Sequence, residues 1–178
     1  MRWLSAAGLA LAAFVASPVS AQDSGPAAAT VYGGGSAGYH DLGVDAPGDN
    51  GGAIFGGVLG VDVPVSTNVV IGVEGNYHIG TAAIDSDYGV AGRLGYRFPS
   101  GGLAYVRAGY QWVNVDVGNL AGVDIDEDDF DIDDTVDDYL VGIGGEFPLG
   151  QSRARLRVGV DTISFDSLRP TAGIVLDF

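Results

Sequence analysis

The chain has 178 residues, 47% hydrophobic and 17% charged, which excludes a charged disordered chain and sets the scale at about one domain. No cysteine is present, so disulfide staples and thiolate metal sites are excluded. The formal net charge is −15, without the basic footprint that a nucleic-acid binder needs.

Residues 1–21 read as an export signal. Arg2 supplies a short positive start, Trp3 to Val15 is apolar, and Pro18 precedes the small-residue site Val19-Ser20-Ala21. Cleavage after Ala21 leaves Gln22 as the mature N-terminus. The apolar run is short for a helix that must cross about 30 Å of hydrocarbon, which disfavours a membrane anchor. Residues 22–27 are expected to form a short periplasmic leader, and 28–178 the folded domain.

From residue 28 onward apolar and polar residues alternate with period two, the signature of strands. Eight strands are predicted, over 28–40, 52–63, 69–79, 87–98, 102–115, 136–149, 153–165 and 170–178. Segments 64–68, 99–101 and 150–152 are tight turns. Segments 41–51, 80–86 and 116–135 are expected to be longer acidic loops. The short connection 166–169 departs from this trend. Short turns on one side and long loops on the other are the pattern of an outer-membrane barrel, with both termini on the periplasmic side.

Parity then separates two faces. Val73 and Tyr77 oppose Glu74 and His78 on strand three; Leu94 and Tyr96 oppose Arg93 and Arg97 on strand four. Val106 and Tyr110 oppose Arg107 and Gln111, Ile143 opposes Glu146, and Val158 opposes Arg155, Arg157 and Asp161. Ile174 and Leu176 oppose Asp177, and Leu59 and Val61 oppose Asp62. The first strand is too rich in glycine to orient. A soluble barrel of lipocalin type has the same period with the apolar face inward, so alternation alone does not decide. Three features favour charge inside. Glycine and alanine crowd the charged face, as the narrow lumen of an eight-stranded barrel requires. Five arginines (93, 97, 107, 155, 157) balance five carboxylates (Asp62, Glu74, Glu146, Asp161, Asp177), as an enclosed interior requires. Aromatic residues mark two rims on the apolar face: Tyr77, Tyr88, Tyr110, Trp112 and Tyr139 at one end, Tyr96, Phe98, Phe147 and Phe178 at the other. The expected fold is all-β: an eight-stranded, antiparallel, up-and-down transmembrane barrel with a polar, side-chain-filled interior.

Over residues 28–178 the chain resembles the small outer-membrane barrel families of the OmpA transmembrane domain, OmpX and the opacity-type proteins. The resemblance rests on the signal peptide, the eight strands, glycine-aromatic stretches such as Ala104-Tyr105-Val106-Arg107-Ala108-Gly109-Tyr110, and the ending Thr171 to Phe178. It implies that the last strand, closing on Phe178, is the signal read by the barrel-assembly machinery. It also implies an outer-membrane location, with membrane lipid and lipopolysaccharide as surroundings.

Ten of the 23 carboxylates lie between Asp124 and Asp138. Asp124, Asp126 and Asp128 match the first ligand positions of a calcium loop, but Asp129 stands where the loop needs Gly and Thr135 where it needs Glu. A solvated external loop is the first expectation and a weak, irregular divalent-cation site the second; no other cofactor is expected. His40 and His78 fall at external strand ends near Ser86 and Asp87, and are read as rim histidines bonded to water rather than as a hydrolase site. The leading expectation is a monomeric, non-enzymatic structural or surface-interaction barrel. A small porin comes second and a lipid A-modifying enzyme third.

Overall fold

The computed structural model describes residues 28–43, 47–116 and 135–178. The export signal, the leader at 22–27 and the carboxylates Asp124, Asp126 and Asp128 lie outside the described residues. The strands are β1 Thr30–Asp41, β2 Gly51–Pro64, β3 Val69–Gly80, β4 Ile84–Arg97, β5 Leu103–Val115, β6 Thr135–Pro148, β7 Ala154–Ile163 and β8 Arg169–Asp177. Each pairs antiparallel with the next, and β1 closes on β8 from Tyr32↔Asp177 to Gly38↔Thr171. Closure leaves no edge of unpaired backbone, which hydrocarbon could not satisfy.

The tight turns end as their residues dictate. Val65 N–H donates to Val69 O at 2.9 Å, and Phe98 N–H to Gly102 O at 2.8 Å. Gly101 and Gly150 supply the positive φ that these turns need, at 85° and 66°. At the opposite end the expected long loop over 80–86 is absent. Only Thr81 to Ala83 connect β3 to β4, and Asp85 and Asp87 belong to β4. The long connections on that end are therefore 42–50 and 116–134. A bulge at Asp85, between Ile84 and Ser86, shifts the register. It turns both Ile84 (1% exposed) and Asp87 (0%) inward although their parity differs.

The apolar face points outward: Leu59, Val73, Leu94, Val106 and Ile143 are all exposed. The first strand is now oriented, with Tyr32 and His40 buried inside.

The inward glycines answer two constraints. A Cβ on Gly142 would strike the Asp161 carboxylate, and one on Gly144 the Tyr105 ring, so these positions make room for side chains crossing the lumen. A Cβ on Gly109 would instead run into the β4 backbone at Val90 and Ala91. There the curvature of the wall excludes a side chain, a cause distinct from the economy of volume expected from sequence. Gly109→Val is therefore expected to abolish closure, seen as loss of the band that migrates faster unboiled on detergent gels. The same change at outward Gly35, where an added Cβ meets only Gly56 O at 3.7 Å, is expected to keep that band.

Candidate functional site

The lumen is built in layers. At the end bearing the long connections, Ile54, Ile84, Val113, Val115, Leu140 and Ile163 form a buried apolar plug with Leu42 packed against it. At the other end Val70, Leu103 and Tyr105 form a second apolar cluster. Charged residues fill the space between them.

Two glutamates organise the middle. Glu74 accepts hydrogen bonds from Tyr32 Oη at 2.7 Å, from Arg107 Nη1 at 2.7 Å and from Arg157. Glu146 accepts from Arg93 Nη1 at 3.0 Å, from Arg157 Nη2 at 2.7 Å and from Arg155. Arg93 also donates to Asp62 at 2.8 Å. Its guanidinium lies between the Tyr32 and Tyr105 rings, 4.7 and 4.6 Å from their centroids. Arg107 grips Asp161 through Nε at 2.7 Å and Nη2, and Arg155 reaches the half-buried Asp177. The planar, multi-donor guanidinium can bridge two carboxylates at once, which a lysine ammonium does less well.

Arg97, the remaining member of the expected network, is half-buried at the mouth with the short turns, and no ion pair to it is found among the described residues. The residue in its stead is Arg169, which falls in the predicted connection 166–169. It is fully buried, donating from Nη1 to Asp87 at 2.9 Å and from Nη2 to Asp161 at 3.1 Å. Five arginines and five carboxylates are thus buried, with Arg169 and Asp87 replacing Arg97 and Asp177. Tyr105 was legible in principle, since it shares the parity of Arg107. Asp87 was legible in the same way, since it shares the parity of Arg93; Arg169 was obscured by a misplaced strand start.

The histidines are not rim residues bonded to water: His40 is 1% and His78 2% exposed. Both face Asp87, His78 Nδ1 at 3.0 Å and His40 Nδ1 at 3.4 Å. His78 Nε2 lies 2.8 Å from Ser36 Oγ. In the tautomer that donates from His78 Nδ1 to Asp87, Nε2 accepts a hydrogen bond from the Ser36 hydroxyl. The order hydroxyl, imidazole, carboxylate is that of an acyl-transfer relay. The void beside Ser36 and His78, about 10 Å³, has room for a single water and none for a reacting carbonyl. Here the relay is a buried hydrogen-bond chain. Among the described residues no group of three His, Asp or Glu side chains converges to hold a metal ion.

A closed barrel with a hydrocarbon-facing belt and an ion-paired lumen defines a small membrane barrel. Residues 7–174 match the family described as the outer membrane protein beta-barrel domain, and the chain belongs to that family of bacterial outer-membrane proteins. No curated protein matches the sequence. Among solved structures, a de novo designed transmembrane β-barrel is similar at 17% identity, covering 88% of this chain and 100% of that one, with a TM-score of 0.50. The attachment invasion locus protein Ail of Yersinia pestis, in complex with the heparin analogue sucrose octasulfate, is similar at 11% identity over 84% of this chain and 97% of that one, TM-score 0.52. Neisserial surface protein A is similar at 14% identity over 87% and 100%, TM-score 0.52. At these identities the likeness is one of fold.

Removing one charge from a buried network leaves its partners unpaired, at a cost of about 3–5 kcal/mol. Glu74→Gln leaves Arg107 on Asp161 and Arg157 on Glu146 but the sealed cluster with one positive charge uncompensated, and is expected to lower stability by about that amount in urea unfolding from lipid vesicles. Arg97→Gln is expected to change it by less than about 1 kcal/mol.

Proposed function

We propose that this protein is a non-enzymatic structural and surface-interaction element of the outer membrane, closed to solutes. The observation that carries the reading is the seal. Glu74, Arg93, Glu146 and Arg157 are at most 5% exposed and paired with one another, with an apolar plug at the end bearing the long connections and Val70, Leu103 and Tyr105 packed toward the other. Among the described residues no open polar path favours the porin reading. The same burial leaves Ser36 and His78 without substrate space, which supports a role other than catalysis. In this reading residues 1–21 direct export and are removed, and Phe178 ends the segment that the assembly machinery recognises.

The outward-presented surface is anionic. Asp49, Asp85, Asp137 and Asp166 are exposed at the end with the long connections. Among the described residues the only arginine near that end, Arg169, is buried. The sulfated ligand of the Yersinia barrel is a polyanion, which a rim of this sign repels. The partners it suits are cationic, or are lipopolysaccharide phosphates reached through divalent cations. Asp124, Asp126 and Asp128 would add to the cation-holding carboxylates.

Reconstituted in planar bilayers at neutral pH, the protein is expected to give no steady conductance steps; stable openings would contradict the closed reading. Lipopolysaccharide binding, measured with magnesium and then with a chelator, is expected to weaken by about tenfold, or about 1.4 kcal/mol, when the cation is removed. Unchanged binding would rule out cation bridging.

A further inference from the structure

Three glycines on the lipid-facing surface have no reason in the fold to be glycine. A Cβ at Gly35, Gly75 or Gly92 would meet nothing nearer than 3.7 Å, and none of the three has a positive φ. Glycine inside a strand weakens it, and commonly marks close approach by a ligand or another backbone. Around Gly75 the barrel surface is a groove of about 940 Å³. Its floor includes the backbone at Gly57 and Gly75, and its walls are Phe55, Leu59, Tyr77, Tyr88, Val90 and Trp112. Gly57 pairs with Tyr77 and Gly75 with Leu59, so the two notches are staggered and the furrow runs obliquely across β2 and β3. Tyr77, Tyr88 and Trp112 stack side by side, with centroids 6.4 and 5.6 Å apart and planes within 26° and 13°. They form one continuous flat wall. Their row of paired residues runs on to Asp137 at the anionic rim.

We propose that this groove binds one acyl chain of an outer-leaflet lipid. The occupant follows from the groove's continuity with the hydrocarbon-facing belt and from its aromatic wall, which lies toward the rim where headgroups sit. Hydrophobicity alone does not select a chain in a bilayer, because lipid tails are as apolar as leucine. Close packing does, and glycine lets a chain lie directly on the backbone. The inference rests on the outer-membrane placement and is independent of the sealed lumen, so conductance and lipid retention test the two readings separately.

The test is native mass spectrometry of the full purified chain in detergent micelles supplied with purified lipid A. Wild type is expected to retain one lipid A per barrel. Gly75→Leu, where an added Cβ meets nothing nearer than 3.7 Å, fills the groove floor and is expected to reduce retention about tenfold. Gly92→Leu, equally unobstructed but outside the groove, is expected to retain lipid as wild type does. If Gly75→Leu fails to fold by heat-modified migration, Tyr88→Ala, which breaks the aromatic wall, must give the same loss. Equal retention in wild type and the groove variants would overturn the proposal. So would an equal loss in Gly92→Leu, or dimers of the wild type that Gly75→Leu dissolves.

Discussion

Glu74 and Glu146 sit where four arginines converge, and the rest of the barrel is arranged around keeping that cluster dry and balanced. A charge in hydrocarbon is costly, and so is an unpaired charge in a sealed lumen. The wall alternation sends every central charge inward, and the lumen then has to satisfy each one there. Tyr32 and Tyr105 complete the packing, one donating to Glu74 and both stacking on Arg93. The glycines facing these groups give the long side chains space to cross the lumen. Buried ion pairs seldom add net stability over a well-packed apolar core. In this barrel their consequence is specificity: each arginine bonds carboxylates from particular strands, so a one-residue slip in register would break several pairs at once.

Much of this was readable from the chain because a strand's period of two is rigid. Once Glu74, Arg93, Arg107, Glu146 and Arg157 fell on one parity, their convergence followed from closure. The period of two no longer indicates the inward face where a bulge or a strand end interrupts it. The bulge at Asp85 brings Ile84 and Ser86 inward against the parity of Arg93, while Asp87 keeps that parity and anchors His40, His78 and Arg169. Arg169 was missed because β8 begins one residue before the predicted start. Ser36 was missed because a strand of glycines has no apolar side to orient it. Arg97 followed the parity rule, but it lies so close to the strand end that it faces the mouth.

The two faces of the wall carry different kinds of information. The inner face fixes architecture: it pairs, packs and excludes water, leaving a void fit for one water molecule beside Ser36. The outer face and the rim are where contact with other molecules is available. The rim is acidic without an exposed described arginine, and the belt carries glycine notches that the fold does not require. On the proposed reading, these surfaces serve interaction at the rim and along the belt rather than passage through the lumen.

The chain contains no cysteine, so single cysteines can be placed and spin-labelled without background. The most direct measurement of the orientation is collision accessibility at Leu94→Cys, Val106→Cys and Ile143→Cys in lipid vesicles. These side chains face hydrocarbon, so the labels should collide readily with dissolved oxygen and hardly at all with a water-soluble nickel chelate. Labels at these positions that meet the nickel chelate freely would place the apolar face out of the lipid and contradict the account.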